Sequence, residues 1–373
     1  MKTLRHIFLA GLLHISFISM AQFEYYVSNR AVNSINKYAE SGSFLELIVE
    51  ENSGGLNSPQ DIVFFGDDML ISSSQTNTIL RFNRSSGEFI EVWNQDAVTR
   101  PTKMSIGPDN LLYVTQWGQT QSTSTILKFN LDGTLNSILN TVIPTPLSMG
   151  HVWDDDGNFY VAFFGIGQGN GEVHKFDPDG NSLGTFIDNT FLQNPTYIWW
   201  DTNGDMLVQD FNGGKVLRYD SEGNYIEDYI SGLSNPEGFG ILPNGNLLVV
   251  ERTINEVSEF DTNGNYLGQW DTGITLIDPN LMVRFDPTFG VEDNLLSITM
   301  VVPSVGNVFV MAPSIKERFD LINVYNYAGV LMENVDLGKS DHWNASRYAE
   351  GIYFLSAIDK AGTKFVQKII VKR

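Results

Sequence analysis

The 373-residue sequence has no cysteine, which excludes disulfide staples, thiolate metal sites and cysteine nucleophiles. Basic residues are scarce: 23 Lys and Arg stand against 44 Asp and Glu, a formal net charge of −21. A chain so acidic lacks the positive surface that holds nucleic acids or anionic membranes, and neither is expected as a partner. Of five histidines, His6, His14 and His342 fall in the two ends, leaving only His151 and His174 in the body. Two cannot build a three-histidine zinc centre. No Gly-x-Ser-x-Gly elbow occurs, so a Ser–His–Asp hydrolase lacks its usual signal. Past the first 21 residues, no run approaches the roughly 20 apolar residues of a membrane-spanning helix, and no transmembrane segment is expected.

The composition favours a large β structure. Hydrophobic residues make up 42% of the chain, enough for a sizeable core, and 34 glycines with 12% aromatics fit many short strands joined by tight turns. At the start, Lys2 and Arg5 precede an apolar run from Ile7 to Ile18, and Ser19-Met20-Ala21 offers small residues before a cut at Gln22. This is the pattern of a signal peptide over residues 1–21. Charge then divides the rest. Gln22 to Val291 carries 12 basic and 35 acidic residues, whereas Glu292 to Arg373 carries 9 of each. A boundary is therefore expected near Phe289–Leu295, separating a domain at 22–290 from one at 291–373.

The acidic part repeats. Pro59, Pro101, Pro146, Pro195, Pro236 and Pro279 each precede a short apolar strand, at spacings of 42, 45, 49, 41 and 43 residues. Such a period suits propeller blades. Within a unit, an Asn-Gly or Asp-Gly turn leads to a second apolar strand such as Leu247–Val250. A third strand ends in an aromatic followed by Asp or Asn, as in Lys175-Phe176-Asp177, Arg218-Tyr219-Asp220 and Glu259-Phe260-Asp261. A glycine turn then brings the fourth. Phe23–Glu50 has the last three strands of a unit without a Pro-led first strand, and Pro279–Asp286 is a first strand with nothing after it. Together they complete one blade, so the reading is an all-β, six-bladed β-propeller whose ring is closed by a C-terminal first strand. This pattern of proline, strand, turn, strand and Phe-Asp before a glycine resembles the NHL-type six-bladed propeller over roughly Phe23 to Pro287. The resemblance implies a fold and almost nothing about activity, because the fold hosts lactonases, lyases and plain binding scaffolds.

Beyond Glu292 the alternation of Phe319–Tyr325, Ala328-Gly329 and Val330–Met332 predicts a hairpin. Gly351-Ile352-Tyr353-Phe354 begins a strand, Asp359–Gly362 turns it, and Phe365–Val371 returns. The prediction is a small β-sandwich. Ile322-Asn323-Val324-Tyr325 with Gly329, then Gly351-Ile352-Tyr353-Phe354, then Lys368-Ile369-Ile370-Val371-Lys372 resemble the C-terminal sorting domain of the type IX secretion system of Bacteroidetes. Val301-Val302-Pro303-Ser304 stands where that family usually opens with Tyr-Pro-Asn-Pro. The resemblance implies the type IX machinery as partner, export across the outer membrane and removal of the domain. Release to the medium or attachment to surface lipopolysaccharide would follow.

Alternating strand direction places the starts of the Pro-led strands and the ends of the second strands on one face, beside the channel. The residues after the prolines are Gln60, Thr102, Leu147, Thr196, Glu237 and Asn280; the second strands end at Asn29, Ser73, Gln116, Phe163, Asp210 and Glu251. Two sectors emerge. Asp210, Glu237, Glu251, Asn280 and Asn29 form an oxygen-rich one, in which Asp210, Glu237 and Asn280 could supply part of the shell of Ca²⁺ or another divalent cation, though no cofactor is required. Trp117, Phe163, Phe164, Tyr197 and Phe211 form an aromatic wall suited to a sugar or another flat polar ligand. Lys103 and Arg252 read as surface pairs to nearby carboxylates. Asp154-Asp155-Asp156-Gly157-Asn158 has its glycine misplaced for a calcium loop and reads as a hairpin turn. Trp199 and Trp200 should pack between blades. The expected function is binding of an extracellular carbohydrate, peptide or protein on the channel face, with no catalytic residues assigned. The alternatives are a divalent-metal-dependent hydrolase or lactonase of the gluconolactonase type, and a structural surface module.

Overall fold

The computed structural model describes residues 23–285 apart from 108, 110, 119–123, 140–146, 155 and 168, and residues 300–372 apart from 304, 327–330 and 359–363. The predicted signal peptide, Pro146, the boundary at Phe289–Leu295, Ala328-Gly329 and the Asp359–Gly362 turn lie outside the described residues.

The turns dictate the architecture. In Asp261–Gly264, the Asp261 carboxylate accepts the N–H groups of Asn263 and Asn265 (2.9 Å each), and Gly264, at φ +80°, donates to the Asp261 carbonyl at 3.0 Å. Only a residue without Cβ takes that φ cheaply, so the chain reverses here. The Asp154 turn closes in the same way on Gly157. Repeated reversals give six four-stranded antiparallel sheets. Numbered from the N-terminus, the sheets have first strands Met282–Phe285, Pro59–Phe65, Pro101–Ile106, Ser148–Trp153, Pro195–Trp200 and Pro236–Ile241. Their second strands are Glu24–Asn29, Asp68–Ser73, Leu112–Gln116, Phe159–Phe163, Met206–Asp210 and Leu247–Glu251. Sheet one draws on both ends of the acidic part, with Met282–Phe285 antiparallel to Glu24–Asn29 and Val283 opposite Tyr26. Each first strand lies beside that of the next sheet, and the first strand of sheet one beside those of sheets six and two. The repeats thus yield the all-β propeller fold they predict.

Sheets stacked on both faces need apolar residues on both faces, and the second strands of sheets two to six are buried at every position. Between sheets, Trp199 stacks on Phe239 with centroids 4.1 Å apart, while Trp200 meets Tyr160 edge-on at 5.2 Å. The two tryptophans therefore pack on opposite neighbours, as alternation requires. Inner strands approach so closely that a Cβ on Gly238 would sit 2.8 Å from the Leu281 Cα.

One contact recurs at the end of the second strands. Ser73, Gln116, Asp210, Glu251 and Asn29 accept the N–H of Asn57, Thr99, Gln193, Ser234 and Ile277 at 2.9, 2.7, 2.9, 2.6 and 3.0 Å. In every case the donor lies two residues before the proline that opens the first strand of the same sheet. Sheet four has Phe163 at this position, which offers no acceptor. Asp210 additionally takes Asn194 N–H at 2.8 Å and Gly213 N–H at 3.2 Å.

The remaining residues form a second β structure with its own core. A five-stranded sheet runs in the order Val305–Gly306, Lys364–Val371, Gly351–Ile358, Leu321–Asn326, Leu331–Asp336; a three-stranded one joins Val301–Val302, Val308–Met311 and His342–Asn344. Phe309, Phe319, Trp343, Leu355 and Ile369 are buried together between them. The strands Val301–Val302, Val305–Gly306, Val308–Met311 and His342–Asn344 and a six-residue helix, Pro313–Arg318, are elements the strand pattern did not predict, and Pro at the first turn of that helix fits a helix start.

The clasp predicts a local cost. Asp210→Ala strands three N–H groups and should lower unfolding free energy by about 3 kcal/mol, the upper range for hydrogen bonds to a charged group. Exposed Glu222→Ala should change it by less than about 0.5 kcal/mol. Denaturant melts of both variants check this, and equal stabilities would refute it.

Candidate functional site

The last residue of the second strand is turned aside in every sheet, as a loop clasp in five and as the buried Phe163 in sheet four, and the following residue reaches the axis. These followers are Arg30, Ser74, Trp117, Phe164, Phe211 and Arg252, and all six line a cavity of about 240 Å³. Gln60, Thr102, Met149, Thr196 and Glu237 on the first strands complete the wall, with Ser58 and Arg100 from the positions before two prolines. The volume is below the roughly 300–1,000 Å³ of drug-sized pockets, so it suits a single ring rather than an extended molecule.

Of the residues expected at this face, Gln60, Trp117 and Glu237 line the cavity, together with Thr102, Thr196, Phe164 and Phe211 of the wider ring. The others go elsewhere. Asn29, Gln116, Asp210 and Glu251 are the clasps, their acceptor atoms taken by backbone N–H groups. Phe163 is buried against His174, with centroids 5.3 Å apart. Tyr197 is covered by Lys103, whose ammonium lies 5.2 Å from the ring centroid. Asn280 is buried, accepting from Ser28 Oγ at 2.6 Å and donating to Glu237 Oε1 at 3.3 Å. Leu147 yields the sheet-four position to Met149. Of the three oxygens grouped as a metal shell, the structure joins Glu237 to Asn280 but not to Asp210. Among the described residues, no three His, Asp or Glu side chains converge to hold a metal ion.

In the sequence, Arg30 and Arg100 carry no assigned role and Arg252 reads only as a surface pair. Arg252 is no surface pair: its Nη1 lies 2.8 Å from Glu237 Oε2, its Nε lies 2.8 Å from Asp278 Oδ1, and its guanidinium is 5.3 Å from the Phe211 centroid. Arg30 also binds Asp278 and points Nη1 at Ser58 Oγ at 3.5 Å. Arg100 forms no ion pair among the described residues, and its Nε is buried without a hydrogen-bond partner. The signal for Arg30 and Arg252 was a register step: each occupies the residue after the clasp, as Trp117, Phe164 and Phe211 do. The aromatic wall is as expected in kind, with Trp117 to Phe164 at 4.9 Å and Phe164 to Phe211 at 5.9 Å.

Beneath the mouth lies a buried ionic layer. Lys103, 1% exposed, donates from Nζ to the Gln60 carbonyl at 2.9 Å. Asp61, 2% exposed, accepts Met104 N–H at 2.7 Å. Burial pushes the Asp61 carboxyl up to about 6, against the pull of Lys103 and of that N–H. Burial likewise drives His151 down to about 4, beside Ser105. Tyr197, half-buried against this layer, is held above its ordinary value by desolvation and by the Asp61 charge.

Residues 302–372 match the family model of the Secretion system C-terminal sorting domain. A domain of this class addresses the chain to type IX secretion, and so to the cell surface or the extracellular space. Its motif strands pair with one another here: Ile352 faces Ile370 and Phe354 faces Lys368 across the antiparallel strands, with Gly351 and Tyr353 on the same strand, and Lys372 N–H continues to the Gly306 carbonyl at 2.9 Å. No helix among the described residues is long and apolar enough to cross a membrane. No curated protein sequence matches the chain. Solved structures do resemble it. A chain of the nidogen/laminin complex superposes with TM-score 0.57 at 13% identity, covering 70% of this chain and 98% of that one. A protein of unknown function from Bacteroides caccae gives 0.55 at 18% identity, with 71% and 99% covered. Virginiamycin B lyase from Staphylococcus aureus gives 0.50 at 15% identity, with 69% and 84% covered. Identities this low establish a shared fold only.

The buried layer sets two opposed pH slopes. The unfolded chain releases the Asp61 proton near 3.8 while the folded chain keeps it to about 6, so this group makes stability fall as pH rises between those values. The unfolded chain takes up the His151 proton near 6.5 but the folded chain only near 4, so this group makes stability rise with pH over that window. Relative to the parent, Asp61→Asn should gain an upward slope between pH 4 and 6, and His151→Gln a downward one. Thermal melts across that range decide it; parallel curves for all three would show that neither group carries the shift.

Proposed function

We propose that this protein is an exported NHL-type propeller that binds a small extracellular ligand in the mouth of its central channel. In this reading, residues 1–21 are the leader, residues 22–290 are the binding domain, and residues 291–373 direct type IX secretion in a Bacteroidetes cell before removal. The observation that carries it is the cavity on the axis, to which every one of the six sheets contributes a side chain at an equivalent repeat position. A purely scaffolding propeller has no need of an aromatic wall and three arginines at one opening. Metal-dependent hydrolysis through Asp210, Glu237 and Asn280 has less support, since three N–H groups occupy the Asp210 carboxylate.

Two outcomes are expected. In a glycan and metabolite screen on the mature chain, Trp117→Ala should weaken binding of any hit at least tenfold while the chain still folds, at some cost in melting temperature from its lost packing on Phe164; a hit indifferent to Trp117 places the site elsewhere. Deleting residues 302–372 should abolish appearance of the protein outside the outer membrane while leaving the propeller folded, and unchanged export would contradict the sorting role.

A further inference from the structure

Resting on the reading of the mouth as a ligand site, we infer that its ligand is an anion of one defined kind: a single flat ring bearing a carboxylate or an equivalent oxyanion, as in an acidic sugar or an aromatic acid. The ring lies on Trp117, Phe164 and Phe211, and the oxyanion is taken by Arg100, with Arg30 on the same cavity wall.

The charge at the mouth carries the argument. Residues 22–291 hold only 12 basic side chains against 35 acidic ones, yet three arginines and one carboxylate, Glu237, line this one cavity, with Lys103 and Asp61 together in the layer beneath it. Against Arg30, Arg100 and Arg252 stand Glu237 and Asp278. Arg252 uses both, and Arg30 shares Asp278, so two carboxylates serve three guanidinium groups. The surplus falls on Arg100, with its buried, unpartnered Nε. A guanidinium presents five donors in a planar fork that fits a carboxylate in two parallel hydrogen bonds.

The backbone under Arg100 is the independent observation. It has φ +45°, in the left-handed region, immediately before Pro101. The corresponding residues before the prolines of sheets one, two, five and six are Asp278, Ser58, Asn194 and Asn235, short polar residues that tolerate such turns. Asp278, Ser58 and Asn235 share the left-handed conformation at φ +53°, +57° and +55°. A long side chain is a poor local choice there. Its N–H is nevertheless held by Asn77 Oδ1 at 2.8 Å, the tie that Asn33 makes to Ser58 and Asn255 to Asp278, so the fold would accept a shorter residue unchanged. The left-handed backbone is shared with Ser58, Asn235 and Asp278, and Arg100 is the position of these four where it carries a long cationic side chain that the turn itself does not require. Arg100 stands at one end of the aromatic arc, its carbonyl accepting Trp117 N–H at 2.9 Å; the arc occupies sheets three, four and five, while Arg252, Arg30 and Ser74 occupy sheets six, one and two. The cavity thus has an apolar half and a cationic half, matching a ring with a charge at one edge.

The test uses the mature full-length chain in calorimetric titrations with glucuronate against glucose, and with 4-hydroxybenzoate against phenol. The charged member of one pair should bind at least tenfold more tightly than its neutral partner, and which pair responds tells sugar from arene. Arg100→Asn, which installs the residue that sheets five and six already use, should erase that preference while leaving the melting temperature equal to or above the parent's. Arg100→Lys should retain part of it. The inference is overturned if neither charged probe binds at millimolar concentration, if neutral partners bind equally well, or if Arg100→Asn keeps the preference. Binding of neutral probes that is lost in Trp117→Ala would then preserve the mouth as a site without its anion, whereas indifference of all binding to Trp117 would remove the site itself.

Discussion

One recurring hydrogen bond fixes how the second strand ends in five of the six sheets of the propeller. It runs from the N–H two residues before the sheet-opening proline to the side chain that ends the second strand, and it recurs in sheets one, two, three, five and six. Its chemistry varies through Asn, Ser, Gln, Asp and Glu while its geometry does not. What the position demands is an acceptor, and charge is incidental. Once that acceptor is turned sideways, the strand's alternation sends the next residue to the axis. The pre-proline residue is pinned on its other side by an asparagine of the preceding sheet, as Asn77 pins Arg100. The mouth therefore joins the first-strand residues to two further repeat positions, each of these two fixed by hydrogen bonds to the backbone. Those residues are left to vary, which is the arrangement expected where binding groups sit on a rigid scaffold.

The same bond explains what the sequence could and could not disclose. Strand order, the fragments that unite Met282–Phe285 with Glu24–Asn29, and the roles of Trp199 and Trp200 were readable because turn chemistry and strand periodicity are local. Gly264 and Asp261 announce their reversal whatever surrounds them. The channel face was readable only to within one residue. Asp210, Glu251, Gln116 and Asn29 were taken for ligand groups because a polar residue at the end of a buried strand looks functional, and a one-residue step moves a side chain from one face to another. Nothing in the sequence near Asp210 says that Gln193 and Asn194 will bring their N–H groups to it. Arg30 and Arg100 were hidden, and Arg252 was readable as an ion pair but not with its partners, because the pairing that sets Asp278 between Arg30 and Arg252 spans sequence separations that periodicity cannot see. In the C-terminal part the helix Pro313–Arg318 escaped because six residues are too few to show a helical period.

The overall charge and the local charge of the propeller have opposite sign, and geometry reconciles them. Strands one and two start and end at the mouth, so the turns between strands one and two, and those between three and four, lie at the other end. Asp154, Asp177, Asp201, Asp220 and Asp261 are the carboxylates of those turns, each spent on capping backbone N–H groups there. First strands of about six residues at roughly 3.3 Å per residue put them near 20 Å from the mouth. At physiological ionic strength the screening length is about 8 Å, so a small ion at the mouth feels Arg30, Arg100 and Arg252 far more than the distant turns. A long polyanion is different. It would extend over the acidic surface and meet that field along its length, so the net charge excludes nucleic acid as a partner without deciding the sign of a ligand small enough to enter the cavity. Net charge governs what approaches the whole surface; the two or three side chains at the axis govern what stays.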